Sequence, residues 1–270
     1  MPKSAKLGQN FLHDRNIAAK IIDVFLPQAG PSRPALTGPV LEIGPGPGIL
    51  SALLLERVPA GLVTLVELDR FLAQRLKERF GDPPRVIRED ILKVDLARLY
   101  PGERVAVIGN LPYHISKPLV DWLIVQRRKI GSAVLMLQKD FIDKLLSPAG
   151  SKKYNAQSVV FQLLFQARRC FDVPAGAFTP KPKIVSTVIA ARPVESPLPD
   201  GAEFYDFVKL CFAGRRKTLA NNLAQRYPDA VVADLFAAFG LKRDIRAEQL
   251  PADRFPPLYA ALKKYSGEEG

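Results

Sequence analysis

Residues 40–50, VLEIGPGPGIL, decide the reading of this chain. Residues 40–43 form a short apolar run that stops at a glycine-rich turn, Gly44-Pro45-Gly46-Pro47-Gly48, and a helical pattern begins at Ile49. Strand, tight turn and helix in that order open a βαβ unit. The glycine spacing is GxGxG. A dinucleotide fingerprint needs its third glycine at position 49, where isoleucine stands, and a phosphate-binding loop needs a GK[ST] ending that is absent. What remains is a turn that brings backbone close to a ligand at the carboxyl edge of a parallel sheet.

The same alternation continues along the chain. Strands are expected at residues 62–67, 86–88, 105–109 and 133–137, with helical patterns at 70–80 and 117–126 between them. Two more strands, around 169–173 and 184–191, would close the sheet edge. Upstream, Ile17, Ile21, Val24 and Phe25 keep helical spacing behind Asp14, an N-cap residue. The fold class is α/β, a Rossmann-like doubly wound sheet. The segment 192–201, RPVESPLPDG, reads as a linker. Beyond it Phe204, Phe207, Val208 and Cys211, then Leu219 and Leu223, then Val232, Leu235 and Phe239 predict a smaller helical C-terminal domain. The expected division is therefore 1–192 and 193–270.

Composition bounds the function. At 270 residues and 47% hydrophobic the chain buries a full core, which excludes disordered and fibrous classes. Cys170 and Cys211 lie far apart without a His/Cys cluster, so neither a disulfide scaffold nor a zinc site is expected, and a reducing, cytoplasmic location fits. No apolar run approaches the roughly 20 residues of a membrane span, and no cleaved targeting segment is expected. The net charge is +12. Before Pro193 there are 28 basic and 16 acidic residues, and 11 of each after it, so the whole excess lies in the first part. That excess favours a polyanionic partner, nucleic acid before membrane.

Successive strand ends carry polar groups of the right kinds for one ligand. Glu67 ends the second strand, 23 residues after Gly44, and can accept both hydroxyls of a ribose. Asp90 follows the third and can accept from an adenine amino group. Each carboxylate alone could be a helix cap. Together with the glycine loop, and without a phosphate site, they meet the demands of S-adenosylmethionine. After the fourth strand stands Asn110-Leu111-Pro112-Tyr113. An adenine amine is a weak nucleophile because its lone pair is delocalised into the ring. A site that methylates it should accept both N–H groups, which the Asn110 side chain and the backbone carbonyl near Leu111 can do, while Tyr113 stacks on the base.

LGQNFL (7–12), LEIGPGPGIL (41–50), VELD (66–69), ED (89–90), GNLPYHIS (109–116), FTPKPKIVST (178–187) and FAGRRKTLANNL (212–223) resemble the ribosomal RNA adenine N6,N6-dimethyltransferase family over nearly the whole chain. The resemblance is strongest to its bacterial KsgA-type branch. It implies a class I S-adenosylmethionine-dependent methyltransferase sheet. The substrate would be two adjacent adenosines in the 3′-terminal hairpin loop of 16S rRNA, within the small subunit or its precursor, and the enzyme a monomer. Carried over by residue, Asn10 and Leu12 close over the cofactor, Gly44 lies beneath its methionine portion, Glu67 holds the ribose and Asp90 the adenine. Asn110 contacts both methyl donor and target amine, Tyr113 stacks on the target base, and Phe178 is a second aromatic wall. His114 and His13 depart from the common bacterial asparagines without touching these roles.

Basic clusters would contact RNA phosphates: Arg127 to Lys129, Lys152 with Lys153, Lys181 with Lys183, and Arg215, Arg216 and Lys217. Any one of them could be an ordinary solvated patch. Two other functions stay open, an Erm-type methyltransferase acting on 23S rRNA, and a ribosome-assembly or RNA-binding factor that needs no turnover.

Overall fold

The structure is a computed structural model that describes residues 10–26, 38–195 and 202–265. In chain order the elements are β1 (Phe11–Leu12), α1 (Arg15–Phe25), β2 (Val40–Ile43), α2 (Ile49–Leu55), β3 (Val63–Glu67), α3 (Arg70–Phe80), β4 (Arg85–Arg88), α4 (Leu96–Leu99) and β5 (Val105–Asn110). They continue with α5 (Ser116–Gln126), β6 (Ile130–Gln138), α6 (Lys139–Leu145), α7 (Ala156–Leu164), β7 (Phe165–Val173), β8 (Phe178–Thr179) and β9 (Ser186–Pro193). Last come α8 (Ala202–Cys211), α9 (Leu219–Leu223), α10 (Asp229–Ala238) and α11 (Phe255–Tyr265).

Among the described residues the main sheet has seven strands in the order β4-β3-β2-β5-β6-β9-β7. Strands β2 to β6 run parallel, and β9 pairs antiparallel with β6. The order reverses at β2, since the chain runs outward through β3 to β4 and returns to β5 on the other side of β2. That reversal leaves a crevice at the carboxyl ends of β2 and β5, where doubly wound sheets bind ligands. Every residue of β2 and β3 is buried, as expected of parallel strands covered on both faces. Helix α1 begins on Asp14, whose carboxylate accepts from Asn16 N–H and Ile17 N–H, and it buries Ala18, Ile21, Ile22 and Phe25. A second, two-stranded sheet pairs β1 with β8, setting Leu12 opposite Phe178. Sequence periodicity gave no sign of it, because two-residue strands carry no period.

The chain divides into two compact units, Met1–Ile142 with Gln166–Pro193, and Asp143–Phe165 with Val194–Gly270. The sequence division at residue 193 misses one excursion: 143–165, which includes α7, belongs with the second unit. Tyr154 packs edge-on against Phe212 and Gly150 N–H donates to Glu248 C=O at 2.6 Å, so the segment packs within the helical unit. Of the expected linker, residues 196–201 lie outside the described residues.

In the second unit Phe204, Phe207 and Tyr259 pack as an aromatic cluster between α8 and α11. Asn222 is buried at 1% exposure and holds the loop 212–217 from inside. Its Nδ2 donates to Cys211 C=O at 2.7 Å and its Oδ1 accepts from Gly214 N–H at 3.0 Å.

Candidate active site

The crevice is a single cavity within the first unit. Its floor is the glycine loop, held from two sides. Gly44 N–H donates to Val66 C=O at 2.9 Å, tying the loop to β3. Gly46 N–H donates to Glu67 Oε2 at 3.0 Å, and the other carboxylate oxygen accepts from Asp69 N–H at 2.9 Å. Two of the glycines are obligatory. Gly46 has φ 57° and a side chain there would meet the Phe11 ring at 3.1 Å, while Gly48, at φ 83°, would meet the Phe80 ring at 2.9 Å. The loop is thereby clamped between β1 and α3.

Eight of the sequence-derived site residues line this cavity. Asn10 and Leu12 come from the β1 segment, and Phe178 from β8 beside it. Gly44, Glu67 and Asp90 come from three successive strand ends, and Asn110 and Leu111 from the fourth. The Asn110 amide makes no hydrogen bond among the described residues, so both its carbonyl and its NH2 are open to a ligand. Asp90 does cap a turn, accepting from Leu92 N–H through one oxygen, which leaves the other for a ligand. The carboxylate of Glu67 is only 3% exposed. It faces the cavity and also scaffolds the loop, so its role is not confined to a ligand as sequence alone suggested. Burial raises its pKa above the usual carboxylate range, and the hydrogen bonds from Asp69 and Gly46 pull the other way. Tyr113 lies in a single 3-10 turn, and its side chain is outside the described residues.

The cavity has members that sequence reasoning missed. Glu42 sits in β2 at 1% exposure, and burial pushes its carboxyl up to about 8 against the opposing pull of Ser51, with the nearby Glu67 charge adding to the rise. Neither Glu42 Oε2 nor Ser51 Oγ has a hydrogen-bond partner among the described residues. A carboxylate inside the otherwise apolar strand VLEI was the available signal. Phe11 and Leu68 line the cavity as well, and His114 reaches its mouth while remaining exposed.

The basic residues are placed elsewhere. Lys152, Lys153, Arg215, Arg216 and Lys217 are exposed on the second unit, where Arg215 donates to Lys152 C=O and Lys153 pairs with Asp143. Lys181 is exposed on the first unit just after β8. None of the six lines the cavity.

A mostly apolar cleft with a glycine floor, a ribose-type acceptor on β3 and an open amide on β5 suits a nucleoside cofactor and an adenine amine. Residues 2–264 match the family model described as ribosomal RNA adenine dimethylase. The chain belongs to this family. The dimethylase is 38% identical to ribosomal RNA small subunit methyltransferase A of Acidobacterium capsulatum over 269 residues, covering 97% of this chain and 92% of that protein. It is likewise 38% identical to the protein of that name from Aromatoleum aromaticum over 265 residues, 96% of this chain and 92% of the relative. These relatives bear out the resemblance to the KsgA-type branch. Among solved structures, a dimethyladenosine transferase from Plasmodium falciparum shares the fold, with TM-score 0.78 and 24% identity over 95% of this chain and 98% of that one. The 23S rRNA methyltransferase ErmE aligns with TM-score 0.66 and 28% identity, covering 94% of this chain and all of its own. The dimethylase is thus an α/β class I methyltransferase with a helical C-terminal region.

Proposed function

We propose that the dimethylase transfers methyl groups from S-adenosylmethionine to N6 of two adjacent adenosines in the 3′-terminal hairpin loop of 16S rRNA, giving N6,N6-dimethyladenosines during small-subunit assembly. The observation that carries this reading is the unpartnered Asn110 amide in the same cavity as Glu67 and Asp90. The names of the small-subunit relatives support the choice of RNA.

The residues present fit the cofactor. The glycine turn leaves room for a methionine chain against backbone, and each Glu67 oxygen keeps a second lone pair for a ribose hydroxyl after accepting from Gly46 and Asp69. Asp90 keeps an oxygen for the adenine amine, and Asn10 and Leu12 cover the cleft. Bound S-adenosylmethionine supplies an electrophilic methyl on a sulfonium. The chain orients the acceptor. In the first transfer Asn110 Oδ1 accepts one N6–H and the backbone carbonyl near Leu111 the other, which fixes the amine nitrogen in line and draws its lone pair out of conjugation with the ring; in the second, the one remaining N–H is held by one of these acceptors. In this reading Tyr113 stacks on the extruded base and Phe178 is a second aromatic wall. No general base is needed, because the methylated amine is strongly acidic and loses its proton to water or a backbone acceptor after transfer.

The first unit would then be catalytic, and the second, residues 143–165 with 194–270, would recognise rRNA through Arg215, Arg216 and Lys217 together with Lys152 and Lys153, while Lys181 would add a phosphate contact from the first unit. The protein would work as a cytoplasmic monomer; among the described residues no helix is long and apolar enough to cross a membrane. The test is to offer wild-type protein and labelled cofactor to undermethylated small subunits, large subunits and naked rRNA, and to map the modified base. Dimethyladenosine in the 16S terminal loop supports the reading. Label in 23S rRNA would instead favour the ErmE-like activity, and no label the assembly-factor role.

A further inference from the structure

Helix α3 and strand β4 carry basic side chains, none of which lines the cavity. Residues 70–88 hold six basic side chains, Arg70, Arg75, Lys77, Arg79, Arg85 and Arg88, against Glu78 and Asp82, so 19 residues supply a net four of the chain's twelve positive charges. All six are exposed. The side chains of Arg75, Lys77 and Arg88 make no hydrogen bond or ion pair among the described residues, and Glu78 is engaged by Gln74 instead.

The helix sorts these groups. Ala73 and Leu76 face the sheet, and Phe71, Arg75 and Arg79 recur every four residues along one flank of the outer face. Phe71 is 57% exposed, and the Arg70 guanidinium lies 4.8 Å from its ring centre. An aromatic ring left in water beside guanidinium groups is the combination used to bind nucleic-acid strands, ring on base and cation on phosphate. This flank also joins the cavity rim at both ends. At the start of α3, Leu68, itself 54% exposed, lines the cavity. Near its end Arg79 Nη1 donates to Pro47 C=O of the glycine loop at 2.9 Å. The stripe between them spans about 12 Å at the helical rise.

We infer that the Phe71–Arg75–Arg79 flank of α3 is a contact surface for the substrate RNA strand leading to the reacting base. Phe71 stacks on an unpaired base and Arg75 meets a phosphate, while Arg79 holds the glycine loop and adds its field. The inference rests on rRNA being the substrate. It adds a site on the catalytic unit, apart from Lys181 and from the lysines and arginines of the helical unit.

The experiment compares Phe71→Ala/Arg75→Gln with Lys77→Gln, which removes the same charge from the other flank of the same helix. Full-length proteins are titrated with undermethylated 16S rRNA across a salt series, and S-adenosylmethionine affinity and melting temperature are measured alongside. The double variant should bind RNA roughly tenfold more weakly, with a salt slope shallower by about 0.7 for one lost phosphate contact, at unchanged cofactor affinity and melting temperature. Lys77→Gln should change RNA affinity little. Equal affinities for the two variants, or for the double variant and wild type, would overturn the inference. Wild-type base mapping judges the functional reading separately: a protein that methylated only 23S rRNA would overturn that reading, and the same variants titrated with 23S rRNA would still decide the role of the flank.

Discussion

Glu67 Oε2, at the end of β3, accepts from the N–H of Gly46, 21 residues earlier in the turn that follows β2. One carboxylate thus links two adjacent strand ends and stands in the cavity that both form. Glu67→Ala removes acceptors for Gly46 and Asp69 together with the proposed ribose acceptor. We predict cofactor binding weaker by on the order of 10- to 100-fold, and a stability loss of about 1–3 kcal/mol from the unsatisfied loop N–H. Glu67→Gln keeps one acceptor oxygen and should lose less of both. Calorimetric titration and thermal melting measure the two effects, and unchanged cofactor affinity in Glu67→Ala would remove Glu67 from the site.

Glu42 predicts a pH effect with a definite sign. Its folded pKa is about 8 against an ordinary 4.5, so the folded state holds a proton that the unfolded chain releases. Its contribution to stability is fully present below pH 4.5 and is lost as pH rises toward 8. Glu42→Gln keeps the neutral shape. It should melt like wild type near pH 4 and be the more stable by on the order of a few kcal/mol at pH 8. Parallel melting curves for the two proteins across that window would show that Glu42 is ionised in the fold.

Arg79 ties α3 to the glycine loop through Pro47 C=O. Arg79→Ala should loosen that loop and raise the cofactor dissociation constant severalfold, the scale of one exposed hydrogen bond to a charged group. Arg79→Lys should restore part of it. The same titration reads both, and an unaltered constant in Arg79→Ala would show that the loop holds its shape without the bond.

Asn222 holds the loop 212–217 through Cys211 and Gly214. Asn222→Ala leaves buried backbone groups without partners, at a cost of about 2–4 kcal/mol, and releases the loop that carries Arg215, Arg216 and Lys217. RNA affinity should fall while cofactor affinity at a temperature well below melting stays the same. Chemical denaturation and RNA titration check these two outcomes.

Much of this was legible in the chain itself because the relevant signals are local. The turn after β2 announces itself through glycine spacing, and Asp14 marks where α1 begins, with the apolar period behind it. Glu67 and Asp90 could be placed because the first ends a strand and the second follows one by two residues. What stayed hidden depends on tertiary contact. The β1–β8 pair, which brings Leu12 opposite Phe178 across 166 residues of sequence, has no periodicity to read. Segment 143–165 follows an ordinary strand and helix, and only its packing assigns it to the helical unit. Glu42 looked like part of a core strand, and its unusual protonation follows from burial that sequence does not display. Likewise the double duty of Glu67 became visible only with Gly46 beside it.

The central claim is that Asn110, with its free amide in the cofactor cavity, aligns the adenine amine for transfer. Single-turnover methylation of undermethylated small subunits, at saturating protein and cofactor, tests it most directly by comparing Asn110→Ala with wild type and reading N6,N6-dimethyladenosine. Loss of one acceptor and of alignment should slow transfer by on the order of 100-fold or more. Cofactor binding and folding should be retained. A folded Asn110→Ala protein that delivers both methyl groups at the wild-type rate would contradict the account.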